Sequence, residues 1–138
     1  MAWFDLGDVR WVGVLIASLA AFLVGFAWFH ERALGTAWAR FAGVDVAEQR
    51  DGQSRRLIVG FIVTVITVVF MNVLMAELLV TSVVGGAMFG AAIGLVMRLL
   101  NHVFHDAFEN RPGALTLING GHDVLALAAA GAVLGAFL

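Results

Sequence analysis

Residues 57–80 read LIVGFIVTVITVVFMNVLMAELLV, a run broken by one charge, Glu77, and one amide, Asn72. A helix needs about 20 apolar residues to cross the hydrocarbon core of a bilayer, so this run is long enough to span one. It lacks the residue-by-residue alternation of apolar and polar side chains that marks a membrane-barrel strand. β-Branched residues crowd Val63 to Phe70, yet the length of the run decides for a helix.

Working outward, the stretches from Trp11 to Phe29, Val83 to Asn101 and Ala114 to Leu138 have the same character. The sequence therefore predicts one all-α membrane domain over residues 1–138, with four transmembrane helices at about 11–29, 57–80, 83–101 and 114–138. Composition agrees: 62% of the 138 residues are hydrophobic and 13% charged, against about half and a quarter in soluble domains. Mean hydropathy is +0.96. The absence of cysteine excludes disulfide scaffolds, thiolate zinc sites and cysteine nucleophiles, and a formal charge of -2 excludes a nucleic-acid footprint. The first span is too long for a signal-peptide core and follows Asp5 and Asp8, not a basic region, so it reads as a retained helix.

Orientation follows from the arginines, which stay on the cytoplasmic side of short loops. Arg32, Arg40, Arg50, Arg55 and Arg56 lie between the first two spans, and Arg98 and Arg111 lie near the connection of the last two; Arg10 alone lies on the other side. Both termini are expected on the non-cytoplasmic side of a bacterial inner membrane, with a tight outer turn near Thr81 and Ser82. The segment 30–56 is long for a bundle connection. In its first half Ala33, Leu34, Ala37, Trp38, Phe41 and Ala42 share one helical face, opposite Arg32, Thr36 and Arg40. That pattern predicts a short interfacial helix between the first two spans, with Trp38 and Phe41 sunk toward the acyl boundary.

Helices in lipid associate through small residues that let backbones approach. Gly86, Gly90 and Gly94 form a glycine zipper in the third span; Gly131 with Gly135, and Ala17 with Ala21 and Gly25, repeat the spacing. Most of these faces read as packing within one bundle, and the third-span glycines as the best candidate seam for a homo-oligomer. Inside the second span Asn72 falls about 22 Å and Glu77 about 30 Å across, counted from Leu57. Asn72 is expected to hydrogen-bond a neighbouring helix and Glu77 to be solvated near the outer interface. Arg98 is expected to snorkel to the headgroups.

The candidate site is polar. All four histidines gather at one end of the spans, and His30-Glu31, His105-Asp106 and His122-Asp123 each pair an imidazole with an acid. On a helical wheel His102, His105, Asp106 and Glu109 share one arc. With Pro112 at the centre of the reversal, His102 comes beside His122, and His105 beside Asn119. Imidazoles and carboxylates on facing helices, here His102, His105, Asp106, Glu109, His122 and Asp123 with His30 and Glu31 at the periphery, are the ligands a divalent metal such as zinc takes. The same groups can relay protons, since histidine titrates near neutral pH. Polar residues also collect where helices meet headgroups, with no function beyond solvation.

Several residues together resemble a known family: Gly25, Trp28 and Phe29; Leu34-Gly35, Trp38 and Gly43; Phe108-Glu109 with Arg111-Pro112; Ile118-Asn119-Gly120 with His122; and Gly131 with Gly135. In these the chain is similar to the bacterial membrane proteins catalogued as domain of unknown function 1761. The resemblance implies a four-helix integral membrane protein and carries no activity with it. Phe29 stands where a tyrosine is usual, no proline follows it, and Gly121 stands where a tyrosine often precedes the histidine, so no role needing a phenol there is expected.

Three function classes remain. A binding or permeation protein for a metal ion or proton would work as an oligomer, with the histidine–carboxylate cluster at its cytoplasmic mouth. An accessory module would scaffold a partner without transport or catalysis. An enzyme is the least supported, because no serine elbow, zincin motif or phosphate loop is present, although a metal hydrolase built on the same cluster stays open.

Overall fold

A computed structural model describes residues 6–45, 47–48 and 51–138; Asp5 and Arg50, both weighed above, lie outside them. The described residues are all-helical apart from turns and connections, with no strand. Four helices are long and apolar enough to cross a membrane: α1 (Trp11–Trp28), α3 (Gln53–Glu77), α4 (Val83–Phe108) and α5 (Gly113–Phe137). The short α2 (Thr36–Ala42) lies between α1 and α3. Hydropathy locates the apolar slab and not the helix ends, so α3 begins a turn earlier than its apolar run, just after Gly52 in the left-handed region at φ 71°. For the same reason α4 continues past Asn101 and carries His102 and His105 on its last turns.

The centre of the bundle is α5, which touches every other helix and buries Ala126, Leu127, Ala130, Gly131, Leu134 and Gly135 along its C-terminal half. Its tightest partner is α4. A Cβ placed on Gly86 would strike the Gly131 carbonyl, one on Gly90 the Leu127 carbonyl, and one on Gly135 the Ser82 carbonyl. Backbones this close gain dispersion and Cα–H···O contacts, which must do the work of association where lipid removes the hydrophobic drive. The glycine face expected to seam two copies together is thus covered by α5 of the same chain. Packing α1 on α5 uses the other small face: Gly13, Val14, Ala17, Ser18 and Ala21 are buried there.

α3 packs differently along its length. Its buried residues begin only at Val68 and run through Met71, Asn72, Val73 and Met75, whereas every residue from Gln53 to Gly60 is exposed. Asn72 is fully buried and its Oδ1 accepts the backbone N–H of Arg10 at 3.1 Å, so the expected interhelical hydrogen bond is made to the start of α1. Glu77 is exposed at the end of α3. The turn between α3 and α4 closes where Leu79 adopts φ 55° and the Ser82 hydroxyl accepts the Gly85 N–H at 3.0 Å, capping α4.

Within α4 the segment Gly94–Leu99 winds as a π-helix. Gly94 sits against Val124, where its Cβ would lie 2.6 Å from the Val124 Cα, and Leu99 fills the space beside Gly120. Such π-turns insert extra residues and recur at functional sites. This one resets how the last turns of α4 face α5.

Candidate functional site

Asp123 on α5 is the hub. Its Oδ2 lies 3.2 Å from His102 Nε2 on α4, and its Oδ1 lies 3.0 Å from Nδ1 of the adjacent His122. An ionised carboxylate only accepts, so each ring donates: His102 through Nε2–H and His122 through Nδ1–H. This tautomer leaves Nε2 of His122 as a lone pair. It points toward Gly25, where an added Cβ would sit 3.1 Å away. The Phe29 ring packs on His122 with centroids 5.0 Å apart. The three polar side chains are partly shielded, at 34%, 21% and 23% exposure for His102, Asp123 and His122.

Two tryptophans fix α1 and α2 to this stretch of α5. Trp28 Nε1 donates to the Ile118 carbonyl at 2.9 Å, and Trp38 Nε1 donates to Asn119 Oδ1 at 3.0 Å. Trp38 therefore turns to α5 instead of sinking to the acyl boundary, and Asn119 serves it instead of His105. Trp28→Phe is expected to lower stability by about 1–2 kcal/mol, the worth of one part-buried hydrogen bond and some lost packing. Denaturant unfolding in mild detergent measures it.

Of the six residues read as metal ligands, the structure brings together His102, His122 and Asp123. His105 and Glu109 are exposed on the side of α4 turned from α5. Asp106, about 100° round the helix from His105, is buried but engaged elsewhere: the Thr116 hydroxyl donates to its Oδ2 at 2.7 Å, and Arg111 lies 3.9 Å from its Oδ1. Arg111 also pairs with Glu109, so these residues clasp the α4–α5 turn. The shared arc was real but centred off the α5 face. Among the described residues no three His, Asp or Glu side chains are grouped to hold a metal ion. His30 stands apart, its Nδ1 accepting the Arg32 N–H at 3.1 Å in the turn after α1.

A groove of about 860 Å³ lies between α1 and α3 over the face of α5, beside the edge-on contact of Phe22 with Phe61, whose centroids are 5.4 Å apart. Phe22, Phe26 and Phe29 form one wall, Leu57, Gly60 and Val63 the other, and His122 and Asp123 lie in the floor. Arg98 of α4 also lines the groove; its Nη2 donates to Thr67 Oγ1 on α3 at 3.0 Å, and its charge acts on Asp123. It turns inward and is not merely a snorkelling residue. Arg98 and Thr67 are the site residues that the sequence reading missed; a charge within a spanning segment was the available signal.

The family model described as "Protein of unknown function (DUF1761)" matches residues 12–135. The chain belongs to the DUF1761 family. No curated protein and no solved structure matches it. In this DUF1761 chain, residues that carried the resemblance, namely Gly25, Trp28, Phe29, Trp38, Asn119 and His122, meet in one place around the His122 ring.

Proposed function

We propose that this DUF1761 chain is a membrane-embedded binding protein that exchanges a proton at His122. The observation that carries the reading is the pair of imidazole–carboxylate contacts at Asp123, which orients both rings and leaves the second nitrogen of His122 without a proton, turned toward Gly25 of α1. A carboxylate that fixes an imidazole tautomer from behind is the arrangement that prepares histidine as a base or proton carrier. Every side chain in the network comes from one chain, so the reading needs no second copy. The arginine bias of the sequence puts this end at the cytoplasmic face of an inner membrane, with both termini outside.

Ring-nitrogen NMR of histidine-labelled protein in phosphatidylcholine nanodiscs tests it. His102 and His122 are each expected to show one N–H bonded to Asp123, and the free nitrogen of His122 to gain a proton on acidification while the bundle stays folded. His122→Gln removes that titrating signal. A second nitrogen that stays unprotonated until the helices unfold overturns the reading and leaves an accessory module, for which the network is only packing.

A further inference from the structure

We propose that Arg98 is a positioning residue which keeps Asp123 ionised, and that Thr67 of α3 holds Arg98 in place, so that the packing of α3 sets the hydrogen-bond directions at the Asp123 hub. The inference goes beyond proton exchange at His122 and does not need it. It needs a carboxylate that accepts from both rings. Within a spanning helix such a charge persists only beside a counter-charge.

The spacing of α4 supplies that counter-charge. Gly94, Arg98 and His102 follow one another at four-residue steps, on one face over successive turns. The first and the last of them both meet Asp123: a Cβ on Gly94 would lie 2.9 Å from the Asp123 carbonyl oxygen, and His102 Nε2 lies 3.2 Å from Oδ2. Arg98 is bracketed by these contacts, and its charge acts on Asp123. The other titratable or charged groups lining the groove are His30 and Glu31 after α1, His122 beside Asp123, and Arg56 on α3. Arg56 stands about 16 Å along α3 from Thr67, and its Nη2 donates to the Asp51 carbonyl at 2.8 Å. Arg98 is thus the guanidinium at the level of Asp123.

Thr67 is suited to hold it. Its hydroxyl proton goes to the Val63 carbonyl at 2.9 Å, which leaves the oxygen lone pairs for Arg98, whose Nη2 donates at 3.0 Å. Because the guanidinium is a rigid planar fork, one bond to Thr67 fixes where the whole charge lies. Without that bond a long arginine side chain snorkels to the headgroups, away from the carboxylate.

The test is NMR of the full chain in phosphatidylcholine nanodiscs, labelled at aspartate carboxyl carbons and histidine ring nitrogens, over a pH titration. It reads the pH at which the hub of Asp123, His102 and His122 gains its first proton, with the Asp123→Asn spectrum assigning the carboxyl signal. Removing a cation favours the protonated form, so in Arg98→Gln that pH is expected to rise by about 1–3 units. Arg98→Lys keeps the charge and should restore most of the shift. Thr67 hydrogen-bonds neither Asp123 nor a histidine, yet Thr67→Val, nearly the same in shape, is expected to raise the pH by about one unit. Thr67→Ser keeps the hydroxyl and should titrate as wild type. An Arg98→Gln hub that titrates as wild type overturns the counter-charge, and a wild-type titration in Thr67→Val overturns the hold by α3. Should Arg98→Gln not fold, the two Thr67 variants decide. A free nitrogen on His122 that never titrates sinks the proton-exchange reading alone, because the hub's proton then goes to the carboxylate or to His102 and the comparison among variants still stands.

Discussion

Gly90→Ala is expected to destabilise the protein by about 3 kcal/mol or more, at the upper end of what overpacking a close-packed contact costs. The new methyl meets backbone, which cannot rotate away: it strikes the Leu127 carbonyl and lies 3.1 Å from the Ala128 Cα. Relief requires α4 and α5 to move apart, and that loosens the neighbouring contacts of Gly86 with Gly131 and of Ser82 with Gly135. Gly131→Ala should behave alike, because its Cβ would meet the Gly86 carbonyl. The double variant should cost less than the sum, since the second methyl enters a gap that the first has opened. Gly113→Ala is the matched control, expected to leave stability nearly unchanged, because nothing lies within 4 Å of its Cβ and it stands at the first position of α5. Unfolding in mixed micelles, followed by far-UV circular dichroism, ranks the four variants. A Gly90→Ala protein as stable as wild type would show that the α4–α5 backbones do not touch.

Lipid makes length and hydropathy nearly sufficient to find spanning helices, which is why the four apolar runs were legible from composition along the chain. The pairing of α4 with α5 was legible too. A reversal centred on Pro112 puts His102 beside His122, and the side chain His102 meets is the next one, Asp123. What could not be read was tertiary in origin. The π-turn at Gly94–Leu99 contains no proline, and its one charge, Arg98, does not by itself mark a change of winding; the turn forms where Gly94 and Leu99 fit the surface of α5. The groove could not be read either: Gly60 and Thr64 stand four positions apart on α3, a small pair that reads as a closely packed face, yet a Cβ on Gly60 would meet only the far end of Phe22 at 3.8 Å. The histidine end was located correctly as a region, but which imidazoles reach a carboxylate depended on a rotation of α4 that no residue spacing records.

Asp123→Asn is expected to lower stability by about 1–2 kcal/mol and to change the tautomer of one imidazole. The amide is nearly the same size as the carboxylate and carries no charge, so the bond lengths at the hub need not change. What changes is hydrogen-bond direction: the wild-type carboxylate accepts from both rings, whereas an amide oxygen and an amide N–H cannot both accept from two donor rings. One imidazole must turn from donor to acceptor, which ring-nitrogen NMR resolves as a change of tautomer at His102 or His122. Denaturant unfolding in mild detergent measures the stability loss. Unchanged tautomers in Asp123→Asn would mean that the two rings do not both donate to the carboxylate.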